Sequence, residues 1–477
     1  MATRHKRSAR LRGSPAAAHD ARRPAPRQLD APVFAQPQPT PDPGTFRIRH
    51  PSDSDAYRLI DELNAEHRLH ALPFPPPRGT PEPRLTLAQV FGAQSAAVQA
   101  IERRGQLVFH ATGDCGSTRG PRTQNEVTDK MVADFDEAAP AQVPQFALLL
   151  GDIVYNFGET EYYYDQFYEP YRNYPAPVLA AAGNHDGMIS PLAHATSLAA
   201  YLRNFCADPA AGFMITPEAG GLSRTAQIQP GVFFTFDAPF VRILVFYSNT
   251  LEDPGVIADT NTGRSQLDFL RQALQRTKRE RFTGALLFVH HHPPYAIGGQ
   301  HSSSVAMRRQ MDAVCGEVGL WPHAVLAGHA HSYQRFTRHR PDGSDIPYLI
   351  CGNGGHNVQK LHSVDGAPLR APQTLQGQTP DDDAVTFENY DDGGYGYLRV
   401  LVNARQLRIE YHPARDGAGA KTPDDSVTID LATRRQSTFV ASDLGWPARG
   451  KTVRAVLGRQ PPLPPPPARA GRRRRRR

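Results

Sequence analysis

Cysteine is scarce: four thiols, Cys115, Cys206, Cys315 and Cys351, in 477 residues, with no CxxC spacing among them. That excludes a zinc ribbon, a thioredoxin-type redox motif and a disulfide-built scaffold, and it fits a reducing compartment. No run of about 18 apolar residues occurs, so no membrane-spanning helix is expected. The basic N-terminus has no apolar segment behind it. Arg22-Arg23 runs into proline-rich polar sequence, so neither a secretory nor a twin-arginine leader is expected. These absences together point to a soluble cytoplasmic protein. Hydrophobic residues make up only 39% of the chain and prolines number 44, so parts of it are expected to stay outside any packed core. No internal repeat is found.

The charge is present but uneven. The formal net charge is +7, yet residues 1–30 carry +6 and residues 448–477 carry +11, which leaves −10 for residues 31–447. The basic character therefore belongs to the ends, and the body is acidic. Residues 1–50, rich in Ala, Pro and Arg, cannot bury enough surface to offset ordering and read as a disordered tail. The other end, from residue 416, reads as a polar, proline-rich tail that closes on six arginines, Arg472–Arg477. Those arginines could attract nucleic acid or anionic lipid through counterion release. A solvated tail is the plainer reading.

Between the tails, residues 51–104 read as a helical extension. Ala56, Leu59, Ile60 and Leu63 share one face within Asp53–Leu72, and Leu85–Ile101 reads as a second helix. From Leu107 to residue 415 the pattern changes to short apolar runs: LVFHATG, FALLLG, VLAAAG, ALLFVH and AVLAG. Strands buried on both faces look like this. Helical spacing falls over Glu126–Ala138, Ser265–Thr277 and Ser303–Gly316, and residues 232–249 read as a hairpin. Late strands are expected at 348–355 and 397–412. The acidic, Gly/Asp-rich stretch Gln373–Gly396 reads as an exposed loop. The fold class is α/β, with its chemistry at strand carboxyl ends.

Five motifs sit at those strand ends: GDCG at 113–116, GDIVY at 151–155, GNHD at 183–186, HHHPPY at 290–295 and GHAH at 328–331. They offer carboxylates, an amide, a phenol and imidazoles, the donor set of a two-metal site. Such a site needs one anionic bridge with neutral or anionic donors at its sides. Asp152, after a buried strand, is the natural bridge. Asp114 ends the preceding strand and can serve one ion. Asn184 offers an amide oxygen, and His329 and His331, two residues apart, can each face a different ion.

The order GDxG, GDxxY, GNHD, HxP, GHxH resembles the calcineurin-like metallophosphoesterase superfamily, and within it the purple acid phosphatase branch. The superfamily commonly has DxH in its first motif. Here Gly116 stands at that histidine's place and Tyr155 supplies a phenol instead, as in purple acid phosphatases. The resemblance implies an α+β four-layer fold, a central β-sandwich flanked by helices. It implies a dinuclear centre of Fe(III) with a divalent ion (Zn, Fe or Mn). By motif, Asp114, Asp152, Tyr155 and His331 would hold Fe(III), and Asp152, Asn184, His291 and His329 the divalent ion. His291 is chosen over His290 and His292 because His-x-Pro with an aromatic two residues on fits it. His185 would contact phosphate and protonate the leaving group, with Asp186 orienting it, and His301 would be a further substrate contact. The implied activity is hydrolysis of a small-molecule phosphomonoester by a metal-bound hydroxide. The β-sandwich domain that precedes the core in plant-type members is not apparent in residues 1–104.

Plainer readings apply elsewhere. His290 and His292 read as surrounding groups, and His110, His194, His323 and His356 as structural or surface histidines. Cys115 reads as a small packed residue and Tyr162–Tyr164 as a packed face. Two other functions stay open: a phosphodiesterase using the same metals on a nucleotide or lipid headgroup, and a nucleic-acid or membrane-surface binding protein with an idle core.

Overall fold

A computed structural model describes residues 55–440, apart from 67, 80, 137–139, 191–195, 208–216, 220–225, 227, 299–300, 363–366, 368, 376–381 and 416–422. Both expected tails, save 423–440, and His194 lie outside the described residues.

Two sheets form the centre. One has nine strands: β1 (Arg84–Thr86), β5 (Phe234–Ala238), β6 (Val241–Val245), β7 (Ala285–Val289), β8 (Ala324–Ala327), β10 (Asp345–Cys351), β9 (Tyr333–His339), β12 (Ala384–Asp391) and β11 (Gln373–Leu375), in that spatial order. The other has seven: β16 (Arg435–Gln436), β15 (Asp425–Asp430), β14 (Gln406–Pro413), β13 (Gly396–Asn403), β2 (Gln106–Thr112), β3 (Ala147–Leu149) and β4 (Val178–Ala180). Strand alternation explains how they pack. Leu107, Phe109 and Ala111 of β2 join Ile243, Val245, Leu287 and Val289 of the opposite sheet in one apolar layer. The alternate residues, such as Leu244, Leu286 and Phe288, belong to a second cluster with Phe269, Leu270, Met307 and Met311. These come from α7 (Ser265–Arg279) and α8 (Val305–Val318). Val127 and Met131 of α4 (Arg122–Ala133) join the same cluster, and α4 lies against β13. The result is the expected sandwich flanked by helices, and it explains why the strands read as unbroken apolar runs.

Six strands not expected from the sequence join the sheets, β1, β9, β11, β12, β15 and β16, and three of them, β1, β15 and β16, lie outside residues 105–415. Gln373–Gly396 is not simply an exposed loop: β11 pairs with β12 and β12 with β9, burying Val385 and Phe387. Acidic composition hid the alternation, and the acids are matched by arginines, Asp382 by Arg308 and Asp383 by Arg338. Likewise β15 buries Val427 and Ile429 against β14.

The N-terminal extension also departs from the sequence reading. α1 ends at Ala65. Leu85 lies on edge strand β1, parallel to β5. Thr86 and Gln89 then form a capping box that starts α2 (Leu87–Phe91), and α3 (Ala96–Arg104) follows. Among the described residues no helix is long and apolar enough to cross a membrane.

Candidate metal centre

Strands β2, β3 and β4 run parallel in one sheet, and β6, β7, β8 and β10 run parallel in the other. Their carboxyl ends bring the five motifs together. Asp114, Asp152 and His329 turn the chain there with left-handed backbone, φ 55°, 54° and 70°. For residues other than glycine this costs about 1–3 kcal/mol each and persists where the surroundings over-determine it. Gly151 has φ 101°, and a Cβ on it would run into the His291 ring.

Two groups of donors share one carboxylate. In the first, the Tyr155 hydroxyl lies 3.0 Å from both Asp114 Oδ1 and Asp152 Oδ2, within reach to donate to either, and 3.3 Å from His331 Nε2. His331 Nε2 is also 3.3 Å from Asp114 Oδ1. In the second, Asp152 Oδ2 lies 3.2 Å from His291 Nε2, and donor atoms of Asp152, His291 and His329 all fall within 4.8 Å of one another. Asn184 opens the short helix α5 (Asn184–Gly187) after β4. The next residue, His185, donates its backbone N–H to Asp152 Oδ1. Asp152 thus belongs to both groups.

The triple histidine sorts itself by hydrogen bonding. His291 Nδ1 donates to the Leu150 carbonyl, which leaves Nε2 facing Asp152. His292 uses both nitrogens, with Ser248 Oγ and the Leu251 carbonyl. His290 is buried, without a hydrogen-bond partner for either nitrogen, and joins neither group.

On the substrate side, His185 Nδ1 bonds the Asn156 carbonyl, leaving Nε2 3.9 Å from Asp152 and 4.0 Å from Glu252. Asp186 differs from its expected role. Its oxygens accept N–H bonds from Gly183, Ile153 and Val154, so it pins the turns after β3 and β4 while the Asn156 carbonyl holds the His185 ring. His301 packs on the rings of His329 and His331, with Nδ1 3.7 Å from Glu252.

The electrostatics call for cations. Asp114 and Asp152 are buried, and burying carboxylates is costly without opposite charge. Burial disfavours a charged His291, yet the Asp152 and Asp114 carboxylates outweigh it and push it up to about 10. Burial, with the same two carboxylates beside it, holds the Tyr155 phenol well above its ordinary value. His329 is pushed well below the ordinary value, by burial and then by the neighbouring His292. Meanwhile Asn184 Oδ1 and His291 Nε2 are buried with no hydrogen-bond partner. Lone pairs left unpaired around two buried carboxylates fit a pair of bound metal ions, and the residues present are the donor types such ions take.

Gly116 explains the absence of a histidine in the first motif. A Cβ there would lie 2.9 Å from the Tyr155 ring and 2.6 Å from the Ile153 carbonyl oxygen. Gln166 Oε1, also 2.6 Å away, the Ile153 carbonyl and the Tyr155 ring together occupy the space a side chain at 116 would need.

Two acids, Glu252 and Asp253, escaped the sequence reading, and His356, read there as a structural or surface histidine, joins them at the site. His356, after β10, stacks on Tyr155 with centroids 3.6 Å apart and planes at 7°. Glu252 and Asp253, after β6, approach Asn184 and His329, and Asp253, His301 and His329 form a further group of close donors. All three leave the carboxyl ends of parallel strands, and that rule alone would have pointed to them.

Residues 107–333 match the family model of the calcineurin-like phosphoesterases. The chain is 25% identical over 259 residues to the probable purple acid phosphatase 20 of Arabidopsis thaliana, covering 53% of this chain and 51% of the relative. It is 23% identical over 207 residues to the probable inactive purple acid phosphatase 9 of the same plant, covering 42% and 29%. The chain therefore spans about half or less of the length of these relatives. Among solved structures it resembles the purple acid phosphatase PPD1 from yellow lupin (Lupinus luteus) seeds, with TM-score 0.46 and 16% identity over 70% of this chain and 57% of that one.

Proposed function

We infer that this chain, whose residues 107–333 form a calcineurin-like phosphoesterase domain, is a metal-dependent phosphoric ester hydrolase of purple acid phosphatase type acting on phosphomonoesters. The observation that carries the reading is Asp152, a buried carboxylate with one oxygen facing both Tyr155 and His291. Asp114, Asp152, Tyr155 and His331 would hold one ion, and Asp152, Asn184, His291 and His329 the other. Only a strongly charged ion would displace the phenolic proton from between two carboxylates, which suits Fe(III) at the first subsite. The second, with a neutral amide and two imidazoles, suits divalent Zn, Fe or Mn.

Two such ions supply positive charge that polarises a phosphoryl group and lowers the pKa of water. The chain's own groups do the rest. His185, held at Nδ1, faces the site with Nε2. Burial disfavours its charge, but the Asp152 and Glu252 carboxylates outweigh that and raise its affinity for a proton. It is placed to orient phosphate oxygens and carry a proton to the leaving group. His301 lines the same side. Asp186 keeps the two turns in register.

Loaded with iron and zinc or manganese, the protein is expected to hydrolyse p-nitrophenyl phosphate faster than bis(p-nitrophenyl) phosphate. Asp152→Asn should lose ~10³-fold or more, since both subsites share it. Faster turnover of the diester would reassign the substrate to phosphodiesters. Failure on both esters with two ions bound would sink the reading.

A further inference from the structure

The loop after β6 places two acids behind the second subsite. Glu252 Oε2 accepts from Asn184 Nδ2 at 3.0 Å. A carboxylate can only accept, so it selects the amide's NH₂ and turns Asn184 Oδ1 the other way. That oxygen is buried without a hydrogen-bond partner. One residue on, Asp253 Oδ1 lies 3.6 Å from His329 Nε2, another buried nitrogen without a partner. His329 thus belongs to two groups of close donors, one with Asp152 and His291 and one with Asp253 and His301. An imidazole that gives one nitrogen to a metal characteristically gives the other to a carboxylate, which fixes the ring and makes it a stronger donor. Two of the three neutral donors of this subsite, Asn184 and His329, therefore have an acid behind them, from adjacent residues of one loop, while the third, His291, has the Leu150 carbonyl.

We propose that Glu252 and Asp253 are positioning residues for the divalent ion, Glu252 by orienting the Asn184 amide and Asp253 by holding the His329 ring. The proposal rests on the two-ion reading above. It assigns the pair to the divalent subsite alone, because Asp114, Tyr155 and His331 are held by one another and by Asp152. Glu252 also neighbours His185 and His301, at 4.0 and 3.7 Å.

The test measures metal binding rather than turnover. Full-length wild type, Glu252→Gln and Asp253→Asn are loaded with iron, then titrated with Mn²⁺ or Zn²⁺, with bound metal read by elemental analysis. Both variants should keep their iron and the visible spectrum of the wild type, and bind the divalent ion about 10–100-fold more weakly. Glu252→Asp should recover part of the loss. Apo-protein melting temperatures matching the wild type would show that the fold is intact. Divalent affinities within about threefold of wild type in both variants would overturn the proposal. So would loss of a third equivalent in Asp253→Asn alone, which would make Asp253, His301 and His329 a cation site of their own. A wild type that binds iron but no second ion would instead defeat the two-ion reading, a distinguishable result.

Discussion

At the scale of single residues, Gly116 and Tyr155 are one feature. The ring takes part of the space a side chain at 116 would need, and it delivers its oxygen to within 3.0 Å of both buried carboxylates. His356 covers its other face. Iron-loaded, oxidised protein is therefore expected to show a tyrosinate-to-Fe(III) band in the visible, and Tyr155→Phe to lose it entirely while keeping its fold. A colourless wild type with iron bound would reject Fe(III)-tyrosinate at this position. The structure brings Asp114, Asp152, Tyr155, His291, His329 and His331 close together, with Asn184 beside His185, because each belongs to a motif at a strand end, where short spacing fixes position. Glu252 and Asp253 were missed, and His356 was read as an ordinary histidine, for the complementary reason. They sit in loops whose paths depend on which strand lies next to which, and no local pattern records that. Asp186 was misread because a carboxylate beside an active histidine looks the same in sequence whether it bonds the ring or the backbone.

At the scale of elements, legibility followed burial. β2, β3, β4, β7 and β8 are covered on both faces, so continuous apolar runs announced them. β12 and β15 alternate apolar residues with acids, and composition outweighed period in reading them as polar loop and tail. β15 is nonetheless structural. It covers the edge of β14, buries Val427 and Ile429, and its Asp425 accepts from Tyr333 and Arg335 of β9, tying the two sheets together. A chain ending at residue 415 would lose these contacts. Losing the burial of the two aliphatic side chains removes about 3–6 kcal/mol, against a total stability of about 5–15 kcal/mol for an ordinary domain. Such a chain is expected to be insoluble or to melt far below the full-length protein. A truncation melting within a few degrees of full length would show that β15 is dispensable.

At the scale of the molecule, buried histidine and carboxylates set the response to acid. His323 precedes β8, accepts the Leu286 N–H of β7 at Nδ1, and has the Arg434 guanidinium from the β15–β16 turn 3.0 Å from Nε2. Burial, then that guanidinium, lowers it to about 3. Asp134 and Glu410 also lie below the usual carboxylate range. Burial opposes this, but His110 with Arg399 outweighs it for Asp134, and His412 with Arg408 for Glu410. The signs agree. A neutral buried His323 contributes stability that is fully present above the unfolded value of ~6.5 and is lost as pH falls from there towards about 3. The two carboxylates contribute above their unfolded values of ~4 and lose it below. Between pH 6 and 4.5 His323 therefore acts ahead of them, taking up about one proton on unfolding, or about 1.4 kcal/mol per pH unit. His323→Gln keeps an acceptor for Leu286 but cannot titrate. Measured by denaturant unfolding at matched metal content, its stability should fall less steeply over that window, by about that slope. Equal slopes in the two proteins would mean that His323 is not neutral in the fold, or that acid acts first elsewhere. The difference between the two proteins also separates this effect from metal release, which protonation of His291 and His329 would drive in both alike.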